Sequence, residues 1–206
     1  AVAAVGSCSG SVGRRCRRLA GPASRLRAAR YTDPTRLERS ALDPSTAHEI
    51  RSISAGDTAG VALVREIFLE YAQSLGVPLD FQDFDQEIAD LPGAYEPPRG
   101  ALLLAYVGGV LAGCCALRPL DASDYANAAE IKRLYVRRPF RGFGLGRSLA
   151  ETILDAARQA GYACVLLDTL SDMEAARALY EDLGFTEIPP YYHNPIAGAH
   201  YLKADL

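Results

Sequence analysis

The sequence predicts an α/β domain over residues 48–206, behind a 47-residue extension of different character. Three observations carry that reading. Short apolar runs of strand length recur between stripes of helical period. Three of those stripes stop at a glycine, as helices commonly do. The composition also changes near residue 47, where nine arginines against Asp33, Glu38 and Asp43 (a balance of +6) give way to 13 basic and 22 acidic residues (a balance of −9).

In chain order, "EIRSI" (49–53) alternates as a short strand. Asp57 then caps a helix with an apolar stripe at Val61, Val64, Phe68, Tyr71 and Leu75, ended by Gly76 and Pro78. "FQDFDQEIADL" (81–91) reads as a second, short helix, and a Pro/Gly-rich loop leads to Gly100. "ALLLAYV" and "VLAGCCALRPL", joined by Gly108-Gly109, form a hairpin. "AAEIKRLYV" (128–136) alternates as the next strand, with Glu130, Lys132 and Leu134 on one face and Ile131, Arg133 and Tyr135 on the other.

A helix from about Gly144 to Ala160 carries Leu145, Leu149, Ile153 and Ala157 on one stripe and stops at Gly161. "YACVLLDTL" is a continuous apolar strand, as a mid-sheet position requires. "SDMEAARALYEDLGF" offers a capping box, Ser171 with Glu174, then an apolar stripe at Ala176, Leu179, Tyr180 and Leu183 that ends at Gly184. Phe185 to Ile188 and Ala199 to Leu206 are the last strands, separated by "PPYYHNPIAG".

Composition limits the function. With 206 residues, 49% apolar and 23% charged, the chain suits one soluble domain plus an extension, and no apolar stretch approaches the roughly 18 residues of a membrane span. Five cysteines without a CxxC pair or a histidine cluster fit a reduced, cytoplasmic protein with no structural zinc. Adjacent Cys114 and Cys115 point to opposite faces of a strand and read as packing. The Arg-rich, acid-poor extension reads as disordered; an organellar transit peptide, a tail without an address and a nucleic-acid-binding arm remain its alternatives. The acidic domain argues against nucleic acid as its main partner and favours a cationic substrate.

The chemistry concentrates in "RRPFRGFGLGRSL" (137–149), with three glycines and four arginines between a strand and a helix. Such a loop suits an anion, because glycines let amides approach it and a helix N-terminus attracts it. A Walker-type loop fails, since Arg147-Ser148 stands at the wrong spacing for its Lys-Ser/Thr pair. A dinucleotide fingerprint finds Gly142 and Gly144 and an acid in Asp168, but Arg147 holds the third glycine position and five residues separate Val136 from Gly142. The remaining pattern is Arg141-x-x-Gly144-x-Gly146.

"LYVRRPFRGFGLGRSLAETIL" followed by "ALYEDLGF" resembles the two signature motifs of the GNAT superfamily of acetyl-CoA-dependent N-acetyltransferases, over about residues 49–206. The resemblance implies the acyl-CoA N-acyltransferase fold: a three-layer α/β (α+β) architecture with a central mixed, mostly antiparallel twisted sheet of about six or seven strands and about four flanking helices. It implies that the amides of Arg141, Gly142, Phe143, Gly144, Leu145, Gly146 and Arg147 cradle the pyrophosphate of acetyl-CoA. Leu134, Tyr135 and Val136 would bind its pantetheine arm along a free strand edge, where strands four and five splay apart. A backbone N–H near Val136 would polarise the thioester carbonyl.

Tyr180 matches the family tyrosine that protonates the departing thiolate, with a core tyrosine as the alternative. Glu130 is the candidate base or amine binder, with a cross-strand ion pair or a substrate anchor as alternatives. Met173 departs from the asparagine that many members carry there. Tyr191, Tyr192, His193 and Asn194 are candidates for the acceptor pocket, and Asp80, Asp83 and Asp85 for an ammonium partner. The expected reaction transfers acetyl directly, in a ternary complex, to a primary amine of a small-molecule acceptor, with no metal, no nucleic acid and no membrane involved. A homodimer is left open. A non-catalytic acetyl-CoA-binding module and a dinucleotide-binding oxidoreductase are the rival readings.

Overall fold

The computed structural model describes residues 48–75 and 83–206. The N-terminal extension, Gly76, Pro78, Asp80 and the predicted start of the second helix at Phe81 lie outside the described residues. Within them the strands are β1 (His48–Ile53), β2 (Ala101–Val107), β3 (Val110–Pro119), β4 (Ala128–Val136), β5 (Cys164–Leu170), β6 (Thr186–Ile188) and β7 (Ala199–Asp205). The helices are α1 (Thr58–Leu75), α2 (Phe84–Asp90), α3 (Leu145–Gln159) and α4 (Glu174–Asp182), with short 3-10 turns at Gly93–Tyr95 and Arg138–Phe140. Among the described residues, no helix is long and apolar enough to cross a membrane.

One seven-stranded sheet runs in the order β1-β2-β3-β4-β5-β7-β6. Every pairing is antiparallel except β4 with β5, so the sheet is mixed and mostly antiparallel. Local chemistry fixes the elements much as the spacing predicts. Gly108 and Gly109 both have positive φ (57° and 79°), the conformation that a tight hairpin turn demands. Asp57 Oδ1 accepts the amide of Gly60 at 2.8 Å and so caps α1. Leu145, Leu149, Ile153 and Ala157 are all buried along one side of α3.

The core has two main faces. One gathers the α3 stripe with Leu103, Cys115, Ile131, Val165, Tyr180 and Phe185. The other gathers Val64, Ile67 and Phe68 of α1 with Phe84, Leu104, Cys114 and Tyr135. Cys114 and Cys115 thus fall on opposite faces, as their adjacency in a strand predicts.

Two local expectations fail. Ser171 and Glu174 form no capping box: α4 begins at Glu174 behind Met173, with no side-chain cap. The Ser171 hydroxyl is engaged instead by the Gly198 carbonyl at 3.1 Å and His200 Nε2 at 2.9 Å. The alternation of β4 also breaks. Cys114 pairs with Tyr135 but Ala116 with Lys132, so two residues of β4, Arg133 and Leu134, stand opposite Cys115 in a bulge. Leu134 therefore joins Val136 on the α3 face. Arg133 reaches the opposite face, that of α1 and α2, where its guanidinium lies 5.0 Å from the Phe84 ring centroid.

Arg133 holds a left-handed φ of 58°, an uncommon conformation for a non-glycine residue. Its side chain is pinned, since Nε and Nη2 donate to the two carboxylate oxygens of Glu87 at 2.9 and 2.6 Å. Both side chains are nearly sealed from solvent, at 2% and 9% exposure. This pair ties α2 to the bulge. Arg137 does the same for α1, donating to Glu70 at 2.7 Å and to the Leu111 carbonyl at 2.8 Å.

Burial opposes ionisation of Glu87, but Arg133 and the Tyr95 hydroxyl outweigh it and hold the carboxyl below the usual range. A carboxyl depressed by folding stabilises fully above its unfolded pKa, about 4.3, and loses that contribution as pH falls through the lower folded value. Replacing Glu87→Ala leaves the Arg133 guanidinium without its carboxylate and should lower unfolding stability by about 3–5 kcal/mol at neutral pH. Urea unfolding measures it, and the deficit relative to the unmutated protein should shrink as the pH is lowered below the carboxylate range.

Candidate active site

The parallel pairing of β4 with β5 covers only Ala128–Glu130 against Cys164–Leu166. Beyond it β4 runs on to Val136 with β3, and β5 runs on to Leu170 with β7. The two strands part, and the β5-facing edge of β4 is left without a partner strand, as the resemblance implies. The amide of Arg137 donates to Ala112 at 2.9 Å, so ladder alternation turns the N–H and C=O of Val136 away from β3 and into the wedge. The Val136 carbonyl takes Arg141 Nε at 2.8 Å.

The wedge leads to the glycine-rich loop. Gly142 and Gly144 have φ of 88° and 77°, and a Cβ at either would meet no atom within 4 Å. The glycines are needed there for backbone conformation and leave open space above them. Among the described residues, the amides of Gly142, Phe143, Gly144, Leu145, Gly146 and Arg147 have no hydrogen-bond acceptor; α3 starts bonding with Ser148 N to Gly144 O at 3.0 Å. Six successive donors thus open at the positive end of a 15-residue helix.

One detail differs from what the sequence implies, and a second agrees with it. The amide of Arg141 is spent on the Arg138 carbonyl at 3.3 Å, so the run of free donors begins at Gly142. The Arg147 guanidinium is drawn to Asp182 of α4 at 2.8 Å, which leaves its backbone amide as its contribution to the loop.

Tyr180 of α4 is 6% exposed and packs on Phe185 at 5.6 Å between ring centroids. Its hydroxyl has no hydrogen-bond partner among the described residues, yet no buried side-chain nitrogen or oxygen there lacks one. The hydroxyl therefore keeps an opening to solvent. Burial drives its pKa upward, and the neighbouring Cys115, Tyr71 and Asp168 act in the same direction, so the phenol stays protonated.

On the other face, a cavity of about 420 Å³ is lined by α2 residues with Arg118, Glu130, Lys132, Tyr191 and Tyr192. Glu130 is 1% exposed and fully engaged. Arg118 donates to Oε2 through Nε at 2.8 Å and Nη2 at 2.7 Å, Tyr191 donates to Oε1 at 2.8 Å, and Lys132 Nζ stands 3.6 Å away. Arg118 is the cross-strand partner of Glu130 in the sheet register. Of the roles open to Glu130 in the sequence, the ion pair is the one its geometry displays.

Tyr191, Tyr192 and Tyr201 form an aromatic cluster with centroids 5.3–5.5 Å apart. Asn194 Nδ2 reaches Tyr192 Oη at 3.3 Å and Asp168 Oδ2 at 3.4 Å. The chain thus brings Tyr191, Tyr192 and Asn194 together beside the wedge. Asp83 lines the cavity at α2, and Lys132 and Arg118 enter the wall without having been singled out in the sequence. Their signal was weak: a charge in an alternating strand reads first as a solvated face.

A model of the acetyltransferase (GNAT) family matches residues 61–185, more than half of the chain. An uncharacterized N-acetyltransferase of Schizosaccharomyces pombe is 38% identical over 138 residues, covering 66% of this chain and 83% of that protein. An acetyltransferase structure from Streptococcus agalactiae superposes with a TM-score of 0.61 at 21% identity, over 77% of this chain and 98% of that one. A Salmonella typhimurium protein solved with its cofactor acetyl-CoA shares the fold with a TM-score of 0.54 at 22% identity, over 77% and 94% of the two chains. A seven-stranded sheet parted at β4 and β5, a glycine loop at the head of α3 and the family match lead to one assignment: the chain belongs to the GNAT family and is an N-acetyltransferase-type acyltransferase.

Proposed function

We propose that the protein transfers the acetyl group of acetyl-CoA directly to a primary amine of a small-molecule acceptor, with both substrates bound together. The observation that carries this reading is the run of six unpaired amides from Gly142 to Arg147 at the end of the parted strands. That run fits a pyrophosphate: the donors are consecutive, the space above Gly142 and Gly144 is open, and the helix end is positive. The free edge of β4 at Leu134, Tyr135 and Val136 suits an extended, amide-bearing arm, which would pair with it as an added strand does.

Each catalytic requirement then falls to a residue of this chain. The N–H of Val136 faces the wedge and serves as the oxyanion donor. Tyr180 stays protonated by burial and gives its proton to the departing thiolate. Tyr191, Tyr192 and Asn194 wall the acceptor side, and Glu130 anchors Tyr191 by the bond between them. Bound acetyl-CoA supplies the activated acyl group; the protein supplies position, a polarising donor and a proton.

Thiol release from acetyl-CoA across a panel of amines tests the reaction, and absence of stimulated release with every amine would overturn it. Coenzyme A should raise the melting temperature and dinucleotides should not. Gly144→Ala forces a side chain onto a left-handed residue, at about 1–2 kcal/mol, and should raise KM for acetyl-CoA roughly tenfold. Tyr180→Phe should lower kcat about a hundredfold with little change in KM for acetyl-CoA, whereas an unchanged kcat would remove Tyr180 from the chemistry.

A further inference from the structure

Asp168 is the one charged residue of β5. It stands two residues past Leu166, the last β5 position paired with β4, and so lies where the strands begin to part. Alternation puts it on the side of Leu166, which packs towards Tyr191. Its carboxylate meets Lys132 Nζ at 3.3 Å, Asn194 Nδ2 at 3.4 Å and the Tyr192 hydroxyl, with Tyr201 opposite in β7.

The comparison with Glu130 decides between the two acids. Glu130 is 1% exposed and takes bonds of 2.7–2.8 Å from Arg118 and Tyr191. Asp168 is 15% exposed, and its contacts to Lys132 and Asn194 exceed the roughly 2.7–2.9 Å of a strong charge-assisted bond. Glu130 is sealed and closely bonded, while Asp168 keeps an opening to solvent and holds Lys132 and Asn194 by longer contacts beside the Tyr192 hydroxyl.

We propose that Asp168 receives the ammonium group of the acceptor and takes its proton, while Glu130 holds the wall; this rests on the acetyl-transfer reading above. One proton passes from the ammonium to the carboxylate and on to solvent, freeing the nitrogen lone pair. The carbon–nitrogen bond forms as the carbon–sulfur bond breaks. The thiolate takes the Tyr180 proton, and the second proton leaving nitrogen restores the phenol, so one proton is released per turnover.

The charge of Asp168 raises the pKa of Tyr180 of α4 and Tyr71 of α1, behind the larger effect of their burial. The groups that meet Asp168 are Lys132 of β4 and Tyr192 and Asn194 from the segment between β6 and β7, with Tyr201 opposite in β7; Lys132 is shared with Glu130, and Tyr71, Tyr180 and Tyr191 feel the charge of Asp168.

The test compares the full chain with Asp168→Asn, Asp168→Glu and Glu130→Gln, using an amine that stimulates thiol release, with kcat/KM for that amine followed against pH. Asp168→Asn should lose about a hundredfold in kcat/KM for the amine while keeping KM for acetyl-CoA. Its rising limb should move up to the pKa of the free amine, and Asp168→Glu should recover part of both losses. A coenzyme A-induced rise in melting temperature confirms that each variant is folded. Glu130→Gln should keep the limb of the unmutated protein. If Asp168→Asn keeps that limb, or Glu130→Gln is the variant that moves it, this inference is overturned and the acetyl-transfer reading stands. If no amine stimulates release in the unmutated protein, both are overturned.

Discussion

The parting of β4 from β5 after three paired residues is the constraint on which the site depends. Backbone groups inside a folded protein ordinarily find partners, and an unpaired strand edge within a sheet is tolerated only where water or a ligand reaches it. Just past the last paired residue, β4 carries the bulge at Arg133 and Leu134, which adds local twist, and the Arg133–Glu87 pair ties that bulge to α2. Past the bulge, Val136 turns its peptide groups into the opening, and the chain reaches α3 through the glycine loop.

Three ion pairs fasten β4 in the same manner. Glu87 holds Arg133, Glu70 holds Arg137, and Glu130, on β4 itself, holds Arg118 of β3. Buried or half-buried pairs of this kind add little net stability over apolar packing, because desolvation offsets most of the attraction. They tie successive points of the strand to neighbouring elements: Glu130 to β3, Arg133 at the bulge to α2, and Arg137 past its end to α1. Tyr135 shares that framework: its hydroxyl donates to Glu70 at 3.0 Å, and burial together with that carboxylate pushes its pKa up to about 12.

Much of the fold was legible because it follows from periods and turns. The Gly108-Gly109 turn, the α3 stripe and the glycine stops after α3 and α4 each rest on local sterics or on one buried side, which a sequence displays directly. The bulge was not legible. Strict alternation was the best reading of "EIKRLYV", and only the partner strand, with Cys115 opposite two residues, shows that the count slips. Ser171 failed as a cap for a similar reason: Gly198 and His200, both distant in the chain, compete for its hydroxyl.

The donor and acceptor sides differ in how they can be read at all. The proposed donor side is made of backbone: amides of Gly142 to Arg147 and the edge at Val136. Backbone donors are present in every sequence, so what the sequence must specify is the conformation, and glycines at fixed spacing announce it. The proposed acceptor side is made of side chains from four separate stretches, with Arg118, Glu130, Lys132, Asp168, Tyr191, Tyr192 and Asn194 meeting only in three dimensions. Asp168 did leave a trace, as an acid inside the apolar run "CVLLDTL", where an unpaired charge would be costly. Such a residue must have a partner across the sheet, and finding Lys132 in that place is what makes the acid part of a site.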